Sequence, residues 1–149
     1  DIQMTGVSYK SGPNAMTDLI GGQVNMFTSD FGVSLPQVQS GKIRGLAVTS
    51  LKRSPVIPEL PTVNEALGIK GFEAVLWNGV AAPAGTPKAV IDILAAATAK
   101  VLKDPVLVDQ LKQLAMEPTD STPESATEYI KEEMMRWKPV IEKTGLRIE

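Results

Sequence analysis

The sequence predicts an α/β fold in which helices pack on a parallel or mixed sheet. In the first half, extended apolar segments alternate with helical patterns, whereas the second half is almost entirely helical. The change falls at residues 72–86. The chain has 149 residues, of which 43% are hydrophobic and 21% charged, and this suits one globular domain or two small lobes.

The first elements form a strand, helix, strand unit. Residues 1–10 and 24–28 predict strands, and the helix between them is expected to begin at Ser11-Gly12-Pro13 and to stop at Gly21-Gly22. This helix is expected to turn three apolar side chains toward a core: Ala15, Leu19 and Ile20.

The pattern then repeats as helix and strand. A helix is predicted near residues 33–39, with a left-handed stop at Ser40-Gly41, and residues 43–50 predict a buried strand. Residues 52–61 contain three prolines and predict a surface loop.

A short helix is expected directly after this loop. Thr62 and Glu65 have the spacing of a capping box, and the helix they predict runs through Leu67. Residues 72–81 then predict a further strand.

The longest helical pattern begins at Thr86, which is predicted to cap the helix, with Pro87 in the first helical position. Its apolar face recurs at spacings of three and four residues. That face consists of Val90, Ile91, Leu94, Thr98, Val101 and Leu102.

Two more helices are predicted by the same cap and proline signature, at Asp104-Pro105 and at Thr122-Pro123. Pro139 is expected to kink the last helix. The cluster of Met134, Met135 and Trp137 on that helix is interpreted as core and not as a cofactor site.

Composition excludes several classes of function. Fifteen Lys and Arg against seventeen Asp and Glu give a net charge of −2, and no basic stripe with interleaved aromatics indicates nucleic-acid binding. The sequence has no cysteine and no histidine, which removes the commonest nucleophile activators and metal ligands. We therefore expect no enzyme activity, metal or cofactor. No apolar run reaches the length of a membrane span, and the first residues do not resemble a signal peptide.

The best candidate for a binding site is the turn that opens the first predicted helix, residues 11–15. Its free N–H groups and the positive end of the helix dipole favour an anion such as a carboxylate. The alternative is an ordinary capped helix. The candidate residues are Ser11, Gly12, Pro13, Asn14 and Ala15.

Four further residues are candidates with a structural alternative for each. Tyr9 lines a cleft or packs at the end of a strand. Ser29 and Asp30 follow a predicted strand, where open α/β sheets collect ligands, but Asp30 equally suits the cap of the next helix. Trp77 forms an apolar wall or fills a hinge.

The order and spacing of several motifs resemble the tripartite tricarboxylate transporter receptor family, the Bug-type periplasmic solute-binding proteins. The motifs are Tyr9-Lys10-Ser11-Gly12, Ser40-Gly41-Lys42-Ile43-Arg44, Leu46-Ala47-Val48-Thr49-Ser50, Lys52-Arg53-Ser54-Pro55, Pro61-Thr62-Val63-Asn64-Glu65-Ala66 and Trp77-Asn78-Gly79-Val80-Ala81-Ala82-Pro83-Ala84-Gly85-Thr86-Pro87.

The resemblance implies a type II periplasmic-binding-protein-like, two-lobed fold, of which this chain resembles the C-terminal half. Residues 1–75 would form the second lobe. Residues 76–149 would form a crossing strand and helices that return to the first lobe, whose N-terminal part the chain lacks. In the family the loop that matches residues 9–12 contributes to the ligand pocket.

The function implied by the resemblance is a periplasmic receptor that captures a small organic carboxylate for a membrane transporter. Any signal peptide would precede the matched half. Self-association of the chain, or a companion segment, is expected to cover apolar stripes on the later helices. The alternatives are the effector-binding domain of a transcription regulator with the same fold and, as a less favoured reading, a hydrolase-type enzyme.

Overall fold

The computed structural model describes residues 3–145, among which there are six α-helices. The helices are α1 (Gly12–Ile20), α2 (Phe31–Gln39), α3 (Val63–Leu67), α4 (Lys88–Val101), α5 (Pro105–Gln113) and α6 (Pro123–Thr144).

The chain divides into two compact units. The first contains the residues up to Trp77 together with Leu111–Met116, and the second contains Asn78–Gln110 and the residues from Glu117 onward. The assignment of residues 1–75 and 76–149 to two lobes of a receptor stays a prediction.

Several helices begin where the sequence predicts. The hydroxyl of Thr62 accepts the N–H of Glu65 at 3.1 Å, the hydroxyl of Thr122 accepts the N–H of Ser125 at 3.2 Å, and Asp104 accepts the N–H of Val106 at 2.8 Å. Each side-chain oxygen satisfies a donor that the first helical turn leaves without a partner.

The predicted cap of α4 is wrong. Pro87 is the N-cap residue and Lys88 begins the helix, because the hydroxyl of Thr86 donates backwards to the carbonyl of Pro83 at 2.8 Å. Pro139 does not end the last helix, because α6 continues through it to Thr144. A kink at Pro139 stays a prediction.

The core of the first unit lies between α2 and the proline-rich loop. Leu35, Val48 and Ile57 are buried against one another. Gly45 lies so close to this loop that a Cβ at its position would be 2.7 Å from Leu60 Cδ1, so a side chain there would displace Leu60. Partly buried side chains complete the cluster: Phe31, Val38, Val56 and Leu60.

The predicted strands at residues 1–10, 24–28, 43–50 and 72–81 are not formed by the described residues. A strand needs a neighbouring segment that is hydrogen-bonded to it along its length, and the described extended segments are joined only by single pairings. Val48 forms one parallel bridge with Thr62, and on its other side Thr49 accepts the N–H of Ala74 at 3.0 Å. The sheet that the sequence predicts is therefore present only as single pairings; residues 1 and 2 lie outside the described part.

The carboxylate of Glu65 joins α3 to the loop before it. It accepts the N–H of Thr62 at 2.7 Å, which completes the capping box, and it pairs with Arg53 Nε at 2.9 Å. Arg53 also donates to the carbonyl of Pro58 at 3.2 Å. Through these bonds, which serve as a polar clamp, Arg53 holds the loop against the start of α3.

The interior positions predicted from periodicity are only partly correct. Ala15 is 2% exposed as expected, but Ile20 is 44% exposed, and the neighbouring Met16 is buried instead. Met134 and Met135 are 68% and 66% exposed, so their interpretation as core is wrong. The described residues place no neighbouring element over this side of α6.

The buried residue of α6 is a carboxylate. Glu133 is 8% exposed, accepts the indole N–H of Trp137 at 3.1 Å and pairs with Arg136 at 2.7 Å. Both partners lie three or four residues along the helix, so the bonds satisfy the carboxylate within a single turn.

Thr62→Ala is expected to lower the free energy of unfolding by about 1–2 kcal/mol, because it removes the cap acceptor at a position with 2% exposure. Urea unfolding followed by circular dichroism measures the change. Thr62→Ser keeps the hydroxyl and should lose much less. Thr122→Ala, in the exposed capping box of α6, is the matched control on the second unit. An equal loss for Thr62→Ser and Thr62→Ala would show that the methyl group, not the cap, stabilises this site.

The stability of the first unit is expected to fall in acid because of Glu65. The backbone N–H of Thr62, with the Arg53 guanidinium as the second cause, holds the pKa of Glu65 below its ordinary value of 4.5. A lowered folded-state pKa stabilises the fold above pH 4.5, and this contribution disappears as the pH falls through the lowered pKa. Glu65→Gln should flatten this part of a pH series of urea midpoints, and Glu59→Gln, which removes a carboxylate from an exposed position in the same loop, is the control variant.

Candidate functional site

The turn that opens α1 is formed by residues 11–15. Ser11 is the N-cap residue, in extended conformation with φ −157° and ψ 154°, and Gly12, Pro13 and Asn14 form the first helical turn. The N–H of Ala15 donates to the carbonyl of Ser11 at 3.3 Å and is the first to be used by the helix. The N–H groups of Gly12 and Asn14 therefore point out of the helix start.

This helix start lacks both of the usual stabilisers of a positive end. The side chain of Ser11 makes no capping hydrogen bond, and the first turn of α1 contains no acidic residue. Pro13 has no N–H and costs nothing there. The donors and the positive end of the helix dipole are thus available to an anion from outside the helix.

The first turns of α1 and α2 lie next to each other in the first unit. A Cβ on Gly12 would lie 3.6 Å from Val33 Cγ2 and 3.9 Å from Phe27 Cζ, which is ordinary van der Waals contact. Phe27 and Val33 were not predicted as neighbours of the site, because no short-range spacing in the sequence connects them to Gly12.

The two adjacent helix starts differ in charge. Asp30 caps α2, with its Oδ1 accepting the N–H of Val33 at 3.0 Å and its carbonyl accepting the N–H of Ser34 at 3.1 Å. Its carboxylate already supplies a negative charge to the positive end of α2. An anion is therefore favoured at α1 and disfavoured beside Asp30.

The other candidate residues are less directly placed. Ala15 is buried, so its side chain belongs to the core. Ser29 donates to the carbonyl of Asp30 at 3.1 Å, which uses its proton within the loop. Trp77 is 43% exposed at the end of the first unit. That all of these residues contribute to one ligand site stays a prediction.

Tyr9 has a specific partner that the sequence did not reveal. Its hydroxyl donates to Asp18 Oδ2 at 2.8 Å, across nine positions of sequence. This hydrogen bond to the carboxylate is the main cause that raises the pKa of Tyr9 above 10.0. The spacing of nine matches no helix or strand rule, because Tyr9 lies in the loop and Asp18 on the body of α1.

Clefts elsewhere do not include the predicted site residues. Two shallow clefts of about 140 and 380 Å³ lie on the second unit. The described residues contain no group of three acidic, histidine or cysteine side chains that could hold a metal ion. No helix within residues 3–145 is both long and apolar enough to cross a membrane.

Comparison with known proteins decides the family. The profile of the tripartite tricarboxylate transporter family receptor matches residues 1–146. The chain belongs to this receptor family. The resemblance stated from the sequence motifs is thereby confirmed.

Individual relatives agree with the family match. A Pseudomonas sp. (strain P51) protein, described as a UPF0065 protein in the tcbD-tcbE intergenic region, is 36% identical over 95% of this chain and 42% of its own length. The chain thus spans less than half the length of this relative.

Two solved structures show the fold. R. palustris Rpa4515 with adipate superposes with a TM-score of 0.86 at 33% identity, over 97% of this chain and 48% of that one. The periplasmic binding protein BugD has a TM-score of 0.84 at 37% identity, over 99% and 50% of the two chains. The predicted fold class is confirmed: the chain has the fold of part of a periplasmic binding protein.

The hydrogen bond between Tyr9 and Asp18 is testable by titration. The phenol of Tyr9 is expected to ionise above pH 10.0, because the Asp18 carboxylate accepts its proton and repels the phenolate. A raised folded-state pKa means that this bond stabilises the fold at neutral pH and is lost as the pH rises through the raised value. Ultraviolet absorbance of phenolate is compared for wild type and Asp18→Ala, with circular dichroism to confirm folding. Subtracting the two curves removes the contribution of Tyr129, and identical curves would contradict the bond.

Proposed function

We propose that the protein is a periplasmic receptor that captures a small organic carboxylate and delivers it to the membrane subunits of a tripartite tricarboxylate-type transporter. The family assignment supports the receptor role, and a relative with 33% identity has been solved with adipate, a dicarboxylate. A binding protein of this kind catalyses no reaction, in keeping with a sequence that has neither histidine nor cysteine.

The observation that carries the proposal is the uncapped start of α1. Backbone N–H donors at a helix N-terminus bind a carboxylate through short hydrogen bonds and through the helix dipole. Lysine or arginine is not needed for such binding, because the main chain supplies the donors. Ser11, an exposed hydroxyl beside these donors, adds a further group that can donate to the ligand.

The rest of the binding site comes from outside the matched half. The chain spans 48% and 50% of the two solved receptors. We propose that the remaining half supplies the opposite wall of the pocket and excludes water from the bound carboxylate, since enclosure strengthens the hydrogen bonds to an anion.

Asn14→Asp in the full-length receptor is expected to weaken carboxylate binding about fivefold or more. Asn14 is exposed in the first turn of α1, and a charge about 5 Å from the bound anion costs about 1–3 kcal/mol at a protein surface. The same substitution should leave the helix intact or stabilise it slightly, because an acidic residue suits a helix N-terminus. Calorimetric titration with a panel of mono-, di- and tricarboxylates measures the affinities.

The matched control is Gln23→Glu, which adds the same charge just beyond the opposite end of α1. It is expected to change affinity by less than about twofold, because charges more than about a Debye length apart are screened. Unchanged affinity of Asn14→Asp for every carboxylate that wild type binds would remove the α1 start from the site. Failure of wild type to bind any member of the panel would reject the receptor proposal itself.

A further inference from the structure

The hydrogen bond between Tyr9 and Asp18 ties the loop before α1 to the body of that helix. Both side chains are half-buried, and the bond is 2.8 Å long. The carboxylate of Asp18 takes no part in capping α1, although the backbone carbonyl of Asp18 accepts the N–H of Gln23 at 2.8 Å just beyond the end of the helix. Its carboxylate therefore has a role that the helix itself does not require.

The direction of this bond determines what Tyr9 can offer to a ligand. A phenol has one proton, and an ionised carboxylate can only accept, so the proton of Tyr9 is committed to Asp18. The phenol oxygen is left with its lone pairs. It can accept a hydrogen bond from a ligand hydroxyl, whereas it would face a ligand carboxylate without a donor and next to the charge of Asp18.

The position of the pair brings this acceptor within range of a ligand held at the α1 start. Asp18 lies six residues beyond Gly12, which is about 9 Å along the helix axis. Side chains of a helix lean toward its N-terminus, and Tyr9 reaches Asp18 from the loop that precedes that end. A dicarboxylate of about six carbons that is anchored at the first turn and fully extended reaches over this distance, whereas a four-carbon one is shorter.

We propose that Asp18 is a specificity-determining residue, which fixes Tyr9 as a hydrogen-bond acceptor and makes the site prefer a hydroxylated carboxylate to the unsubstituted one. This inference rests on the proposed function, because it concerns the same ligand. Asp18 acts through Tyr9 and is a positioning residue, while Tyr9 contacts the ligand.

The experiment compares two matched pairs of ligands on the full-length receptor by calorimetric titration. The pairs are succinate with malate and adipate with 2-hydroxyadipate, which differ within each pair by one hydroxyl. In wild type the hydroxylated member is expected to bind about five- to tenfold more tightly in at least one pair, as one net hydrogen bond predicts. Equal or weaker binding of the hydroxylated member in both pairs would overturn the proposal.

Three variants separate the roles of the two side chains. Tyr9→Phe removes the acceptor, and the ratio of the affinities for the hydroxylated and the unsubstituted ligand is expected to fall close to one. Asp18→Ala frees the phenol proton, so the preference should fall and the unsubstituted carboxylate should bind more tightly. Asp18→Glu keeps a carboxylate that can only accept the phenol proton and should keep the preference, which a merely structural loss would not do.

Glu59→Gln is the control, because it removes one negative charge from an exposed position of the first unit. It is expected to keep the wild-type preference. A preference that survives in both Tyr9→Phe and Asp18→Ala would reject the role of Asp18 and leave the receptor function standing. If Asp18→Ala does not fold, the contrast between Tyr9→Phe and Asp18→Glu decides. If wild type binds none of the four ligands, the proposed function and this inference fail together.

Discussion

In the first unit, side chains accept hydrogen bonds from the free N–H groups at helix starts, and at α3 the same side chains also hold the preceding loop in place. At α3, one carboxylate accepts from the backbone of Thr62 and from Arg53, and Arg53 in turn donates to a carbonyl of the loop. The loop then places Ile57 and Leu60 over α2, where they meet Leu35 and Val48. The described part has only a few buried apolar side chains, and this half-exposed polar clamp adds to the small core that they form.

The candidate site lies at a helix start where no side chain accepts the free N–H groups. Asp30 caps α2 and compensates its positive end, whereas the adjacent start of α1 has neither a capping side chain nor an acidic residue. Two helix starts in contact through Gly12 and Val33 therefore differ in what they can attract. The difference arises from one carboxylate, and of these two helix starts it favours α1 as the place for an anion.

Local signals in the sequence predicted local structure well. The cap and proline pairs at Asp104 and Thr122 and the capping box at Thr62 are interactions over two or three residues, so the sequence contains both partners. Strands and interior faces depend on what lies opposite, and for Met134 the described residues provide no covering element. At the site, the helix start was visible in the sequence, but the partnership of Tyr9 with Asp18 was not, since a loop path decides which residue the phenol meets.

The anchor in the proposed function consists of main-chain groups, and this has a consequence for how the ligand preference of such a receptor can change. A substitution at Ser11 or Asn14 changes the side chain but leaves the N–H of that residue in place. These main-chain donors are therefore retained when either side chain changes, although an added negative charge at the same place, as in Asn14→Asp, is expected to oppose an anion. In the proposed receptor, the side chains that contact the rest of the ligand can therefore change while the donors of the anchor stay in place.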